Sequence, residues 1–131
     1  MRLFLQINIG DWQDQEYLSP MLSFASSLAD DVIGTDVDNT SEAHVVELVK
    51  QLVSQSQQTF LLVCAEGRDQ PLNHVLSLFN HLFDYQERIH LAVFAGEHTA
   101  AEKLLRTLDE RFVKNNEDEL IRKMVKQFAR G

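Results

Sequence analysis

Two stretches of this chain are almost uninterruptedly apolar, Thr59-Phe60-Leu61-Leu62-Val63-Cys64-Ala65 and Ile89-His90-Leu91-Ala92-Val93-Phe94-Ala95, and a third, about Arg2 to Ile9, is apolar but broken by Gln6 and Asn8. Short apolar runs without alternation suit strands buried on both faces of a parallel sheet. Between them the spacing changes to the helical period. Ser19-Pro20 opens a helix with Met21, Phe24, Ala25 and Leu28 on one face, and Asn39 with Glu42 caps a helix carrying Val45, Leu48, Val49, Leu52 and Val53. Pro71 opens a third with Leu72, Val75, Leu76, Phe79, Leu82 and Phe83. Thr99-Ala100-Ala101-Glu102 reads as a capping box ahead of Leu104, Leu105, Leu108 and Phe112. A last amphipathic helix places Leu120, Ile121, Met124, Val125 and Phe128 inward.

Strand followed by helix, repeated, predicts βαβ units and an α/β three-layer sandwich on a small, mostly parallel sheet of three to four strands. The fourth strand is Asp31-Val32-Ile33-Gly34-Thr35, supported by only two apolar residues. If it forms, right-handed crossovers give a flavodoxin-like order, 2-1-3-4, with an extra C-terminal helix beyond the last unit. The 131 residues suffice for one hydrophobic core, so residues 1–131 are expected to be a single domain.

Composition narrows the function classes. One cysteine, Cys64, excludes an intrachain disulfide and a cysteine-based zinc site within one chain, which fits a reducing, cytoplasmic setting. The N-terminal run is too short to span a bilayer and has no small-residue cleavage site, so neither membrane insertion nor export is expected. A formal net charge of −8 repels a phosphate backbone, and nucleic acid is not expected as a partner. The basic residues Arg122, Lys123, Lys126 and Arg130 follow Glu117, Asp118 and Glu119 along the last helix, an order the helix macrodipole favours without any ligand.

In an open parallel sheet ligands bind beyond the carboxyl ends of the strands. Here those ends lead into Gly10-Asp11, Asp36-Val37-Asp38, Glu66-Gly67-Arg68-Asp69 and Gly96-Glu97-His98. Asp11, Asp36, Asp38 and Glu66 are candidate ligands for a hard cation such as Mg²⁺, and Glu97 belongs to the same rim. Arg68 can assist an anion at a helix N-terminus or pair with Asp69. His98 is a candidate acid or base beside Glu97. Polar loops rich in Asp and Gly form the same sequences for local hydrogen-bonding reasons alone. Trp12 and Tyr17, in the loop Gly10 to Ser19, can form a stacking surface or lid, or plug the top of the core. Gln6 and Asn8 place the first strand nearer an edge or look into a pocket. His90 reads as a hydrogen-bonded core histidine and Cys64 as a small buried hydrophobe.

Size and alternation are similar to those of response-regulator receiver domains, but only in architecture. The acidic pair after strand one, the phosphoacceptor aspartate and the lysine ending the last strand have no counterparts here. Thr35-Asp36-Val37-Asp38 with Glu42 resembles the Asp-x-Asp motif of Toprim domains over a few residues, without the glutamate expected after strand one. No Walker loop, dinucleotide glycine fingerprint or Gly-x-Ser-x-Gly elbow is present. Two readings follow. The chain is a nonenzymatic interaction or regulatory module that binds a protein partner or itself, with no cofactor, or it is a metal-assisted hydrolase or phosphoryl-handling enzyme using the carboxylate rim.

Overall fold

A computed structural model describes residues 1–10, 19–67 and 70–130, without the side chains of residues 19, 20 and 22. The described elements run β1 (Arg2–Ile9), α1 (Ser19–Ser27), β2 (Val32–Asp38), α2 (Ala43–Gln55), β3 (Gln58–Ala65), α3 (Val75–Asp84), β4 (Ile89–Gly96), α4 (Thr99–Arg106), β5 (Phe112–Lys114) and α5 (Asp118–Arg130). The described strands form one five-stranded sheet in the order β2-β1-β3-β4-β5, parallel throughout. This is the α/β three-layer sandwich the pattern predicts, with one strand more than the three to four expected.

Alternation along the central strands sorts the core into two clusters. Leu3, Leu5, Ile7 and Ile9 of β1 join Leu61, Val63 and Phe94 under α2, α3 and α4. Phe4, Phe60, Leu62 and Val93 point the other way, under α1 and α5. On that second face Phe60 is 5.6 Å from Phe4 and 5.6 Å from Phe128, centroid to centroid. Arg2 anchors the end of α5 to this cluster. Its guanidinium donates to the carbonyls of Phe128 and Ala129, pairs with Asp31 at 2.7 Å and lies 5.3 Å over the Phe128 ring. The hydrogen bond from Arg2 holds the Asp31 carboxyl below its ordinary range.

Four expectations are corrected. The C-terminal helix is not extra. It follows β5 and buries Ile121, Val125, Phe128 and Ala129 against the sheet of its own chain. The helix expected to reach Phe112 stops at Arg106. The backbone turns through Asp109, at φ +53°, and Phe112 opens β5 beside Ala92. The strand holding Gln6 and Asn8 is not at an edge, because β1 pairs with both β2 and β3. His90 is not a core histidine: it is exposed at the start of β4, its ring 5.3 Å from that of Phe128. Boundaries also move, since α3 starts at Val75 and not at Pro71, and Glu42 precedes α2 without a side-chain cap.

Candidate functional site: the carboxyl rim of the sheet

Strand order reverses between β1 and β3, so the crevice where open α/β sheets bind ligands lies above Ile9, Gly10, Ala65 and Glu66. The backbone closes tightly there. Glu66 N–H donates to the Ile9 carbonyl at 2.8 Å and Glu97 N–H to the Ala65 carbonyl at 3.1 Å. Gly96, at φ +98°, brings β4 so near β3 that a Cβ on it would stand 1.8 Å from the Ala65 oxygen.

Side chains then tie the rim together. Asn39, buried at the end of β2, accepts from Gly10 N–H at 3.2 Å and donates to the Pro71 carbonyl at 2.9 Å. Its own carbonyl accepts from Asn73 Nδ2 at 2.8 Å. From the other side, His98 Nε2 donates to the Gln70 carbonyl at 2.6 Å, while its Nδ1 accepts from Ala101 N–H at 3.1 Å. These partners assign the neutral tautomer with the proton on Nε2. His98 is therefore the N-cap of α4, the place expected for Thr99, and it is buried with both ring nitrogens engaged by backbone. Asn116 Oδ1 accepts from Gly96 N–H at 2.8 Å and ties the segment after β5 to the end of β4. The segment 70–73 is thus gripped by Asn39 and His98 at consecutive carbonyls and returns a bond through Asn73. Sequence reading missed Asn39 as a rim tie. Its position shortly before an apolar helix made a cap the simpler role.

The sequence-predicted site residues fall as follows. Asp11, Trp12 and Arg68 lie outside the described residues, as do Tyr17 and Asp69. Glu66 and Glu97 are exposed at the ends of the adjacent strands β3 and β4. Asp36 is exposed on the edge strand, level with Gln6 of β1. Asp38 accepts from Thr40 N–H at 2.7 Å and from the Thr40 hydroxyl, and its N–H donates to Ser41 Oγ at 3.1 Å, a turn built for its own closure. Among the described residues no three His, Cys, Asp or Glu side chains gather in a way that could hold a metal ion. A shallow depression of about 260 Å³ lies beside the rim between Glu97, His98, Thr99, Glu102, Lys103 and Lys114. Within it Lys114 pairs with Glu102 at 2.6 Å, Glu102 also takes Arg106 of α4 at 3.2 Å, and these bonds, Lys114 first, hold the Glu102 carboxyl below its usual range.

Beneath the rim, Gln6 and Asn8 are buried on the α1–α5 face, where Gln6 Nε2 donates to Asn8 Oδ1 at 3.1 Å and lies 4.0 Å from Cys64 Sγ. Gln6 Oε1 has no partner among the described residues. Burial first, then the negative charges of Asp118 and Glu66, push the Cys64 thiol up to about 12. A thiol in that state is no nucleophile at neutral pH.

Two predictions follow from these placements. His98→Ala removes the α4 cap and the tie to Gln70 together and is expected to cost about 2 kcal/mol. His98→Asn, which can still cap, should recover about half of it, and urea unfolding of the pair decides. Equal stability of His98→Ala and the parent chain would remove the structural role. For Cys64, thiol labelling by an aromatic disulfide at mildly alkaline pH is expected to run about a thousandfold slower in the native chain than in the urea-unfolded chain, following the thiolate fraction. The raised value also sets a sign. Stability linked to this group is intact below the unfolded value of 9.0 and falls as pH climbs from there toward about 12, where the unfolded chain ionises first. Native labelling as fast as that of the unfolded chain would contradict the buried thiol.

No protein-family model, curated protein or solved structure matches this chain.

Proposed function

We propose that this chain is a nonenzymatic cytosolic interaction or regulatory module that associates with a copy of itself. One observation carries the noncatalytic part: two described rim groups with the chemistry for catalysis, His98 and Asp38, are engaged by the fold's own backbone. His98 uses both ring nitrogens on Ala101 and Gln70, and Asp38 closes its own turn. The Cys64 thiol is held neutral. A general acid or base needs a free site on the atom that moves the proton, and a nucleophile needs an ionisable, reachable one. The acidic net charge of −8 argues against nucleic acid and anionic membrane surfaces as partners. Among the described residues no helix is long and apolar enough to cross a membrane.

Metal-assisted hydrolysis or phosphoryl chemistry on the carboxylate rim is the reading this one displaces, and a thermal-shift panel separates the two. A ligand held at a hundred times its dissociation constant stabilises the native state by about 2.7 kcal/mol, a shift of several degrees for a domain of this size. Mg²⁺, Mn²⁺ and common nucleotides are expected to leave the melting temperature unchanged, while light scattering returns twice the chain mass. A specific, saturable rise with a metal or nucleotide contradicts the noncatalytic reading, and a chain of single mass at every concentration contradicts self-association.

A further inference from the structure

Inside a sheet covered on both faces, a polar side chain on a central strand is costly unless all of it is paired. Gln6 is fully buried on the α1–α5 face of β1, and only half of its amide is engaged. Nε2 donates to Asn8 Oδ1 at 3.1 Å and faces Cys64 Sγ of β3 at 4.0 Å, whereas Oε1 has no partner among the described residues. The planar amide turns that oxygen away from β3, and β2 lies on β1's other side. Parallel register pairs Gln6 with Asp36 and Asn8 with Asp38, and paired residues of neighbouring strands, about 4.8 Å apart, point to one face. Asp38 is engaged in its own turn, but Asp36 is exposed beside Gln6. A buried acceptor without a donor thus stands next to a carboxylate, and two acceptors side by side call for a donor between them. This face is also the more open one toward the rim. Ile9, Ala65 and Phe94 are buried on the opposite face, while Cys64 and its β4 neighbour Ala95 keep part of their surface exposed on this one.

We infer that Gln6 and Asp36 form a binding site for a small organic cation, a primary ammonium group that donates to Gln6 Oε1 while its charge faces the Asp36 carboxylate. The site lies where strand order reverses, the place at which open α/β sheets take ligands, and it stands whether or not the chain pairs with a copy of itself. Charge selects the cation. Beside Asp36, the groups that raise the Cys64 thiol after burial are both negative, Asp118, itself paired with Arg122 at 2.7 Å, and Glu66. An anion would meet this field and an acceptor oxygen with no donor to offer it. A hard metal ion fits less well, since it takes six or more oxygens, and among the described residues no three His, Cys, Asp or Glu gather to hold one.

Thermal melts of the full chain at neutral pH, with methylammonium chloride exchanged for sodium chloride at constant ionic strength, test it. Methylammonium is expected to raise the melting temperature saturably, with an affinity in the millimolar range. Tetramethylammonium, which carries the charge without an N–H, and acetamide, which carries the N–H without the charge, should leave it unchanged. Gln6→Met keeps the length of the side chain and removes the acceptor. It is expected to fold at least as stably as the parent chain, because an unpaired buried oxygen goes with it, and to weaken methylammonium binding at least tenfold. Asp36→Asn, at an exposed position, should weaken binding roughly threefold, and unchanged binding there overturns the site even if Gln6→Met does not fold. An equal response to tetramethylammonium overturns the N–H contact, and an equal response to acetamide overturns the choice of a cation. No saturable rise in the parent chain, or one that Gln6→Met leaves intact, overturns the site itself.

Discussion

Gly96→Ala is expected to destabilise the fold by on the order of 4 kcal/mol, enough to leave the purified chain largely unfolded or insoluble. Two independent costs combine. The residue sits at φ +98°, where an L side chain is strained, and its Cβ would collide with the Ala65 carbonyl oxygen, 1.8 Å away. That oxygen cannot retreat, because it accepts the Glu97 N–H that joins β3 to β4 at the rim. Gly67→Ala isolates the first cost. It has the same φ of +98°, but its Cβ would meet the flexible Gln70 side chain at 2.9 Å, so about 1–2 kcal/mol is expected. Urea midpoints for the two variants measure the difference, and equal midpoints would mean that the β3–β4 approach is looser than described.

Phe60→Ala should cost about 3–5 kcal/mol. The ring is fully buried in the centre of the sheet, between Phe4 and Phe128, and it is the aromatic link between β1 and α5. Removing it leaves a cavity under α5 that neither neighbour can fill without leaving its own contacts. Phe60→Leu should lose less than half as much, since most of the volume remains. A chain that tolerates Phe60→Ala within about 1 kcal/mol would show that α5 is held elsewhere, with Arg2 on the Phe128 and Ala129 carbonyls the first place to look.

These two positions also mark how far the sequence is legible. Phe60 stands in an apolar run whose composition announces a doubly covered strand, and β3 and β4 fall where that run and its partner predict. β2 is weakly written because it is an edge: Ile33 is partly exposed and Gly34 and Thr35 need no apolar face, so little hydrophobic pattern survives. β5 is only three residues long, and its Phe112 keeps step with Leu104, Leu105 and Leu108, so the helical period runs on past the point where Asp109 turns the chain. Misreading that break made α5 look appended, when it closes the second face of the sheet. At the rim, Glu66 and Glu97 follow their strands, whereas Asp36 and Asp38, expected beyond a strand ending at Thr35, fall inside β2, and the use of these residues is not written in their type. The ties from His98 and Asn39 depend on the carbonyls of Gln70 and Pro71, far away in sequence and brought near only by the crossovers. The exposed side of α2 is hidden for a similar reason. Val45, Leu48, Val49, Leu52 and Val53 form one broad apolar face in the sequence, and only the packing on the sheet shows that Val49 and Val53 are buried while Leu48 is exposed.

The central claim is that the chain works by meeting its own copy while its rim serves the fold. Sedimentation equilibrium of the unmodified chain over a wide concentration range tests it most directly. The account predicts a monomer–dimer equilibrium; a single, concentration-independent monomer mass for the unmodified chain would contradict it.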